Sequence, residues 1–319
     1  MRSSDPETLL AAARQGDRGA TGRLISFVER GGEEARTVGR IAFPLAGAIE
    51  RVVGITGAPG AGKSTLTDHL ISRARAGGAP IGVLAIDPTS PFSGGAILGD
   101  RVRMQGHATD DGVFIRSMAT RGHLGGLALA AAEAVRVLGA VGMPLVVIET
   151  VGVGQVEVEV AGTADTTVVV VNPGWGDAIQ ANKAGLLEVA DVLVVNKADR
   201  PGARETRRDL DHMLDMNVAM GGWRPPIVLT NGSTGDGVDD LWEALGEHHR
   251  YLQRSGELVA RRERRLLDEL SRILVRRLEG NVRSLAGGER WEEISAEVVG
   301  RRVDPYTAAE TLLAPWGND

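Results

Sequence analysis

A chain of 319 residues that is 43% hydrophobic and 24% charged can bury a full core, which rules out collagen-like, mucin-like and wholly disordered readings. Lys+Arg 36 against Asp+Glu 42 leaves a formal charge of -6, so the phosphate attraction that drives duplex binding is missing and no nucleic-acid partner is expected. Without cysteine there are no disulfides, iron–sulfur clusters, thiolate zinc sites or cysteine nucleophile; the start MRSSDPETLL has no secretion-signal core and no long apolar run follows, so a cytoplasmic protein with no membrane partner is expected.

In chain order, Leu9, Leu10, Ala13, Leu24, Ile25, Phe27 and Val28 recur at helical spacing, and Asp5 before Pro6 and Asp17 before Arg18 mark two helix starts. Residues 1–48 read as a helical N-terminal extension. From 49 to 250, β-branched runs at 52–56, 81–86, 113–115, 145–148, 167–171, 192–195 and 227–230 alternate with helical segments. Several runs are continuously apolar, as strands covered on both faces are, so the pattern predicts an α/β domain with a mostly parallel central sheet and helices on both faces. The 43 glycines, against four Phe and two Tyr, fit many tight strand-to-helix turns. Ligands in such sheets sit beyond the carboxyl ends of the strands. Residues 251–319 read as a helical C-terminal region: Leu252, Val259, Leu266 and Ile273 lie seven apart with Leu270 and Leu274 beside them, a stripe that Glu263 and Arg277 interrupt. Asp304-Pro305 caps a last helix at 306–313.

Gly57-Ala58-Pro59-Gly60-Ala61-Gly62-Lys63-Ser64 follows the first strand run and opens an amphipathic stretch at Thr65, the setting that G-x-x-x-x-G-K-[ST] requires. Glycines let backbone N–H groups turn around phosphate oxygens, the helix N-terminus adds partial positive charge, and Lys63 reaches the β- and γ-phosphates while Ser64 ligates Mg²⁺. The fold is thus that of a P-loop NTPase. Asn196-Lys197-Ala198-Asp199 ends a later strand at the same sheet edge. Asp199 can accept from guanine N1–H and the 2-amino group, Asn196 can contact the O6/N7 side, and Lys197 can lay its stem on the base. Adenine would leave that carboxylate unpaired, so GTP and GDP are the expected nucleotides. Glu149, followed by Thr150-Val151-Gly152, stands where nucleotide hydrolases carry their metal-holding acid and a glycine that meets the γ-phosphate. Asp87 and Asp100 supply two more carboxylates able to coordinate metal or position water. The expected catalytic residues are therefore Lys63, Asp87, Asp100, Glu149 and Gly152, and the expected metal ligands Ser64, Asp87, Asp100 and Glu149. Val153 stands where Ras-type sites carry the water-orienting glutamine, so unassisted hydrolysis should be slow; Gln155, two residues on, is an alternative. The span from Lys63 to Glu149 holds two further strand–helix units, unlike small Ras-like GTPases.

Together, GAPGAGKST at 57–65, AIDPTSPFSGGAILGDRVRM at 85–104, ETVGVGQVE at 149–157 and NPGWGDAIQANKAGLLEVADVLVVNKAD at 172–199 resemble the methylmalonyl-CoA mutase-associated G-protein chaperones of the MeaB/ArgK type, along the whole chain. The resemblance implies a homodimer that escorts an adenosylcobalamin-dependent acyl-CoA mutase, with GTP hydrolysis gating cofactor loading and protecting or reactivating the mutase. It also implies switch I around Asp87 to Asp100, switch II from Glu149 to Glu157, and a partner-sensing third switch with Gln180 and Lys183, with the stripe after Leu252 as a dimer arm. Two departures stand out: Val156 where relatives tend to have Ser, and Thr230-Asn231-Gly232 in the late guanine loop where a T-S-A-like run is usual.

Two other readings share the phosphate loop. A nickel-type metallochaperone GTPase needs Cys/His ligands near the nucleotide, and the lack of cysteine weighs against it; the histidines at 69, 107, 123, 212, 248 and 249 are scattered, and the adjacent pair points to different helix faces. A P-loop kinase would transfer phosphate to an acceptor other than water, and no activating base is evident. Trp175 reads equally as a partner anchor or a packed loop aromatic, and Arg116 and Arg121 as phosphate ligands or ordinary surface cations.

Overall fold

A computed structural model describes residues 5–87, 105–119, 124–150, 162–174, 188–216, 222–285 and 288–314. Its strands are β1 (Arg51–Gly57), β2 (Ile81–Asp87), β3 (Val113–Ala119), β4 (Leu145–Thr150), β5 (Thr166–Val171), β6 (Val192–Asn196) and β7 (Ile227–Thr230). The helices are α1 (Pro6–Arg14), α2 (Arg18–Arg30), α3 (Gly32–Ala42), α4 (Lys63–Ala76), α5 (Leu124–Ala140), α6 (Ala203–Met216), α7 (Val238–Ser255), α8 (Glu257–Leu285), α9 (Glu289–Val299) and α10 (Pro305–Leu313). Contacts group the chain into two compact units, Met1–Glu263 and Arg264–Asp319.

The seven strands pair in the order β3-β2-β4-β1-β5-β6-β7, all parallel. Successive side chains point to opposite faces, and here both faces are covered. Val52, Leu84, Ile86, Val146 and Ile148 face a core built with α1, α2, α3 and α5, where Leu24, Ile25, Val38 and Leu138 are buried. Their neighbours Val53, Ile55, Val83 and Val147 face the other way, onto Leu66, Leu70 and Ile71 of α4 and Leu241 and Leu245 of α7. On the remaining strands, Val169, Val171, Leu193 and Val195 pack on Ala203 and Leu210 of α6. The continuous apolar runs of the sequence are the sum of these two interleaved faces.

Both expected helix starts carry their caps: the Asp5 carboxylate accepts from Thr8 N–H at 2.9 Å and Asp17 from Ala20 N–H at 2.9 Å. In the second unit Asp304 accepts from Tyr306 and Thr307 N–H at the start of α10, and the Arg290 guanidinium donates to the Thr311 carbonyl at 2.7 Å, joining α9 to α10. The leucine stripe differs from its expectation. Leu252 is buried on α7, which ends at Gly256 with φ +78°, so it cannot share one helix with Val259, Leu266 and Leu270, which are exposed on α8.

Opposite the strands' carboxyl ends, two buried aspartates precede β5 and β6. Asp165 accepts from Val52 N–H and from Arg262, at 3.0 and 2.6 Å, and Asp191 accepts from Thr167 N–H and Arg261, at 2.8 and 3.0 Å. Buried carboxylates need such charge-assisted partners, and the first two turns of α8 supply them.

Candidate functional site

In a parallel sheet the carboxyl ends share one edge, and that edge gathers the phosphate loop after β1, Glu149 near the end of β4, Asn196 at the end of β6 and Thr230 at the end of β7. Register fixes the alignment: Ile55 lies opposite Glu149, Gly57 opposite Val170, and Asn196 opposite Thr230. Two glycines of the loop are required by geometry. Gly57 has φ +137° and its missing side chain faces the Val170 carbonyl; Gly62 has φ +90° and faces the amide nitrogen of Asn196. A Cβ at Gly57 would collide with the backbone of β5, and one at Gly62 with the side chain that ends β6.

The phosphate loop then enters α4, whose first residue is Lys63. The buried Lys63 ammonium donates to the Gly57 and Ala58 carbonyls at 2.8 and 3.0 Å. The Ser64 hydroxyl donates to Glu149 Oε1 at 2.5 Å, with Glu149 only 1% exposed. A serine hydroxyl against a buried carboxylate at a helix N-terminus is a set of hard oxygen donors, and it fits Mg²⁺ in chemistry. Behind it, the Thr150 hydroxyl donates to the Thr56 hydroxyl at 3.1 Å, tying β4 to β1 below the loop.

The guanine-type motif lies directly against this loop. Asn196, 2% exposed, donates through Nδ2 to the Ala61 carbonyl at 2.7 Å, and its Oδ1 accepts from the Thr230 hydroxyl at 3.1 Å and Gly232 N–H at 3.0 Å. Lys197 Nζ donates to the Gly60 carbonyl at 2.7 Å. Lys197 itself has φ +58°, uncommon for a residue with a side chain, and turns the chain so that Asp199 stands exposed at the rim. The Asn196 amide thus joins three segments of chain to one another, a role distinct from contact with the O6/N7 side of a base. Thr65 lies beside the same loop, 3.4 Å from where a Gly232 Cβ would sit, and the Asn231 N–H donates to the Asp236 carbonyl at 2.9 Å.

Asp87 ends β2 at this edge, but its side chain lies outside the described residues, as do Asp100, Gly152, Val153, Gln155, Val156, Trp175, Gln180, Lys183 and Arg121. Among the described side chains, no three His, Asp or Glu groups gather at a cation site. Arg116 is held by Glu29 and Ser26 of α2, at 2.7 and 2.9 Å. The buried His248 contacts Thr166 and Asp191, while the field at His249 comes from Arg51, Asp165, Arg262 and Glu50, so the two rings serve different neighbours. His69 is a contact that its sequence gives no sign of: its Nε2–H donates to the Gly232 carbonyl at 2.9 Å, across 163 residues of chain.

A family model for the methylmalonyl Co-A mutase-associated GTPase MeaB matches residues 21–286. The chain belongs to that family of GTPases. A Pyrococcus abyssi protein assigned as a GTPase is 50% identical over 310 residues, 96% of this chain and 95% of the other. The Escherichia coli GTPase ArgK is 34% identical over 267 residues, covering 81% of this chain and 80% of its own. A crystal structure of an LAO/AO transport system kinase superposes with a TM-score of 0.72 at 24% identity, covering 98% of this chain and 97% of that one, a likeness of fold. Among the described residues no helix is long and apolar enough to cross a membrane.

Proposed function

We propose that this protein is a cytoplasmic, homodimeric GTP-hydrolysing chaperone of an adenosylcobalamin-dependent acyl-CoA mutase of the methylmalonyl-CoA mutase type. In this reading its nucleotide state gates cofactor loading and protects or reactivates the mutase. The observation that carries the nucleotide half is the bond from Asn196 to the Ala61 carbonyl, which places the two nucleotide motifs side by side; family membership carries the partner half.

The chemistry follows from the residues in place. Backbone N–H groups of the loop 57–64 and the N-terminus of α4 bind the phosphates, and Lys63 offsets their charge. Ser64 and Glu149 would hold Mg²⁺, with Asp87 and Asp100 as further carboxylates; when bound, that ion neutralises charge on the β- and γ-phosphate oxygens. Asp199 accepts from the guanine N1–H and 2-amino group, and the Lys197 stem covers the base. Gly152 is the residue assigned to the γ-phosphate, and with Val153 in the glutamine position hydrolysis without a partner is expected to be slow. The exposed Leu266, Leu270, Leu274 and Leu278 recur every four residues on α8 and form the face assigned to self-association.

The test is to add apo methylmalonyl-CoA mutase to the protein and follow GTP hydrolysis. A several-fold change in turnover, with adenosylcobalamin transfer that depends on the nucleotide, is expected. An unchanged rate together with no complex by size exclusion contradicts the partner assignment.

A further inference from the structure

We infer that His69 is a positioning residue for guanine specificity: from the second turn of the phosphate-binding helix α4, it pins the loop that meets the base. The inference rests on the guanine-nucleotide reading above. The loop after β7 runs through Asn231, Gly232 and Gly235, and hydrogen bonds hold its peptide planes, partly from its own side chains: the Thr234 hydroxyl donates to the Asp236 carboxylate at 2.6 Å. Gly232 N–H donates to Asn196 Oδ1 and Ser233 N–H to Asn231 Oδ1, both at 3.0 Å, and Gly235 N–H donates to the Asn231 carbonyl at 2.8 Å. The Gly232 carbonyl accepts from His69 Nε2–H at 2.9 Å.

That last bond holds the peptide between Gly232 and Ser233 from its carbonyl side, as Asn231 Oδ1 holds it from the Ser233 N–H side, so the imidazole helps set where the loop's backbone lies beside the base site. A carbonyl accepts only, so the proton resides on Nε2. The ring is seated as well: Gly235, at φ +84°, passes so close that a Cβ there would lie 3.2 Å from the imidazole Cε1. Gly232 is buried, and without the imidazole its carbonyl would lose its partner, leaving that peptide to the Ser233 N–H bond alone. One rigid helix therefore carries Lys63 and Ser64 at its first turn for the phosphates and His69 at its second for the base loop. Guanine and phosphate recognition are coupled through that helix as well as through Asn196.

A contact that acts through the base loop must weaken guanine nucleotides selectively, whereas damage to α4 would weaken every phosphate ligand. GDP, ADP and tripolyphosphate are titrated into the full-length wild type, His69→Ala, His69→Gln and His69→Phe. Wild type is expected to prefer GDP. His69→Ala should bind GDP several-fold more weakly, the worth of one half-buried hydrogen bond, with ADP and tripolyphosphate unchanged and KM for GTP raised at constant kcat. His69→Phe, which keeps a ring without the donor, should behave the same, and His69→Gln, whose amide restores an N–H donor, should recover most of the loss. The inference is overturned if His69→Ala and His69→Phe keep wild-type GDP affinity, or if all three probes weaken together. A wild type that binds GDP no better than ADP overturns the guanine reading itself, and this inference with it.

Discussion

The phosphate loop shows how a single hydrogen atom in place of a methyl decides a site. At Gly57 the backbone adopts φ +137° and its α-hydrogen faces the carbonyl of Val170 on the neighbouring strand, whereas Gly60, at φ +72°, has open space where its Cβ would go. Gly60→Ala therefore meets only the backbone preference, about 1 kcal/mol, while Gly57→Ala must also push β5 away and should cost about 3 kcal/mol or more. Melting temperature and GDP titration on the two variants should separate them, with Gly57→Ala losing stability and nucleotide together. Equal, mild effects at both positions would contradict the close approach. What was legible at this scale was whatever one short stretch of chain specifies by itself. The phosphate loop and the Asn-Lys-Ala-Asp run carry their chemistry in adjacent residues. The partners of Asn196 and His69 are carbonyls of distant segments, and a carbonyl belongs to every residue, so no residue type announces it.

At the scale of elements, all seven strands were visible because each carries an apolar run that the covered sheet faces bury. β3 runs on to Ala119, past the end of its apolar run at Ile115, because Arg116 stays in the strand by pairing with Glu29 on α2. α3 was not foreseen as a helix of its own: it begins at Gly32 behind Gly31, two poor helix formers, and buries only Ala35, Val38 and Ala42. The junction of β1, α7 and the start of α8 also sets a pH dependence. Burial first, and then the neighbouring Arg51, hold the His249 imidazole below its ordinary value; Arg262 acts in the same sense, and Asp165 and Glu50 oppose it. A depressed imidazole binds fewer protons folded than unfolded, so its contribution is complete above the unfolded value of about 6.5 and is lost as pH falls below it. The melting temperature should drop between about pH 7.5 and about pH 5.5, and His249→Gln should flatten that slope. An identical slope in the variant would place the titration elsewhere.

For the whole molecule, the alternation of strand and helix announced a parallel sheet, but not the order of its strands. Sheet order depends on which helices cover which face, and that is decided by packing between residues far apart in sequence, as where Leu24 and Leu138 join Val146 and Ile148 in one core. The helical lead-in is part of that packing, since α1, α2 and α3 share one core with β1, β2 and β4. The order found, β3-β2-β4-β1-β5-β6-β7, brings the loop after β1 next to Asn196, with β5 alone between their strands. From this juxtaposition comes the central claim, that the loop 57–64 and residues 196–199 hold opposite ends of one guanine nucleotide. Calorimetric titration of GDP and ADP into wild type and Asp199→Ala tests it most directly. The account predicts GDP binding at least about tenfold tighter than ADP in wild type, from an adenine that leaves the Asp199 carboxylate unpaired, and loss of that preference in the variant. Equal affinity for the two nucleotides, or a guanine preference that survives Asp199→Ala, would contradict it.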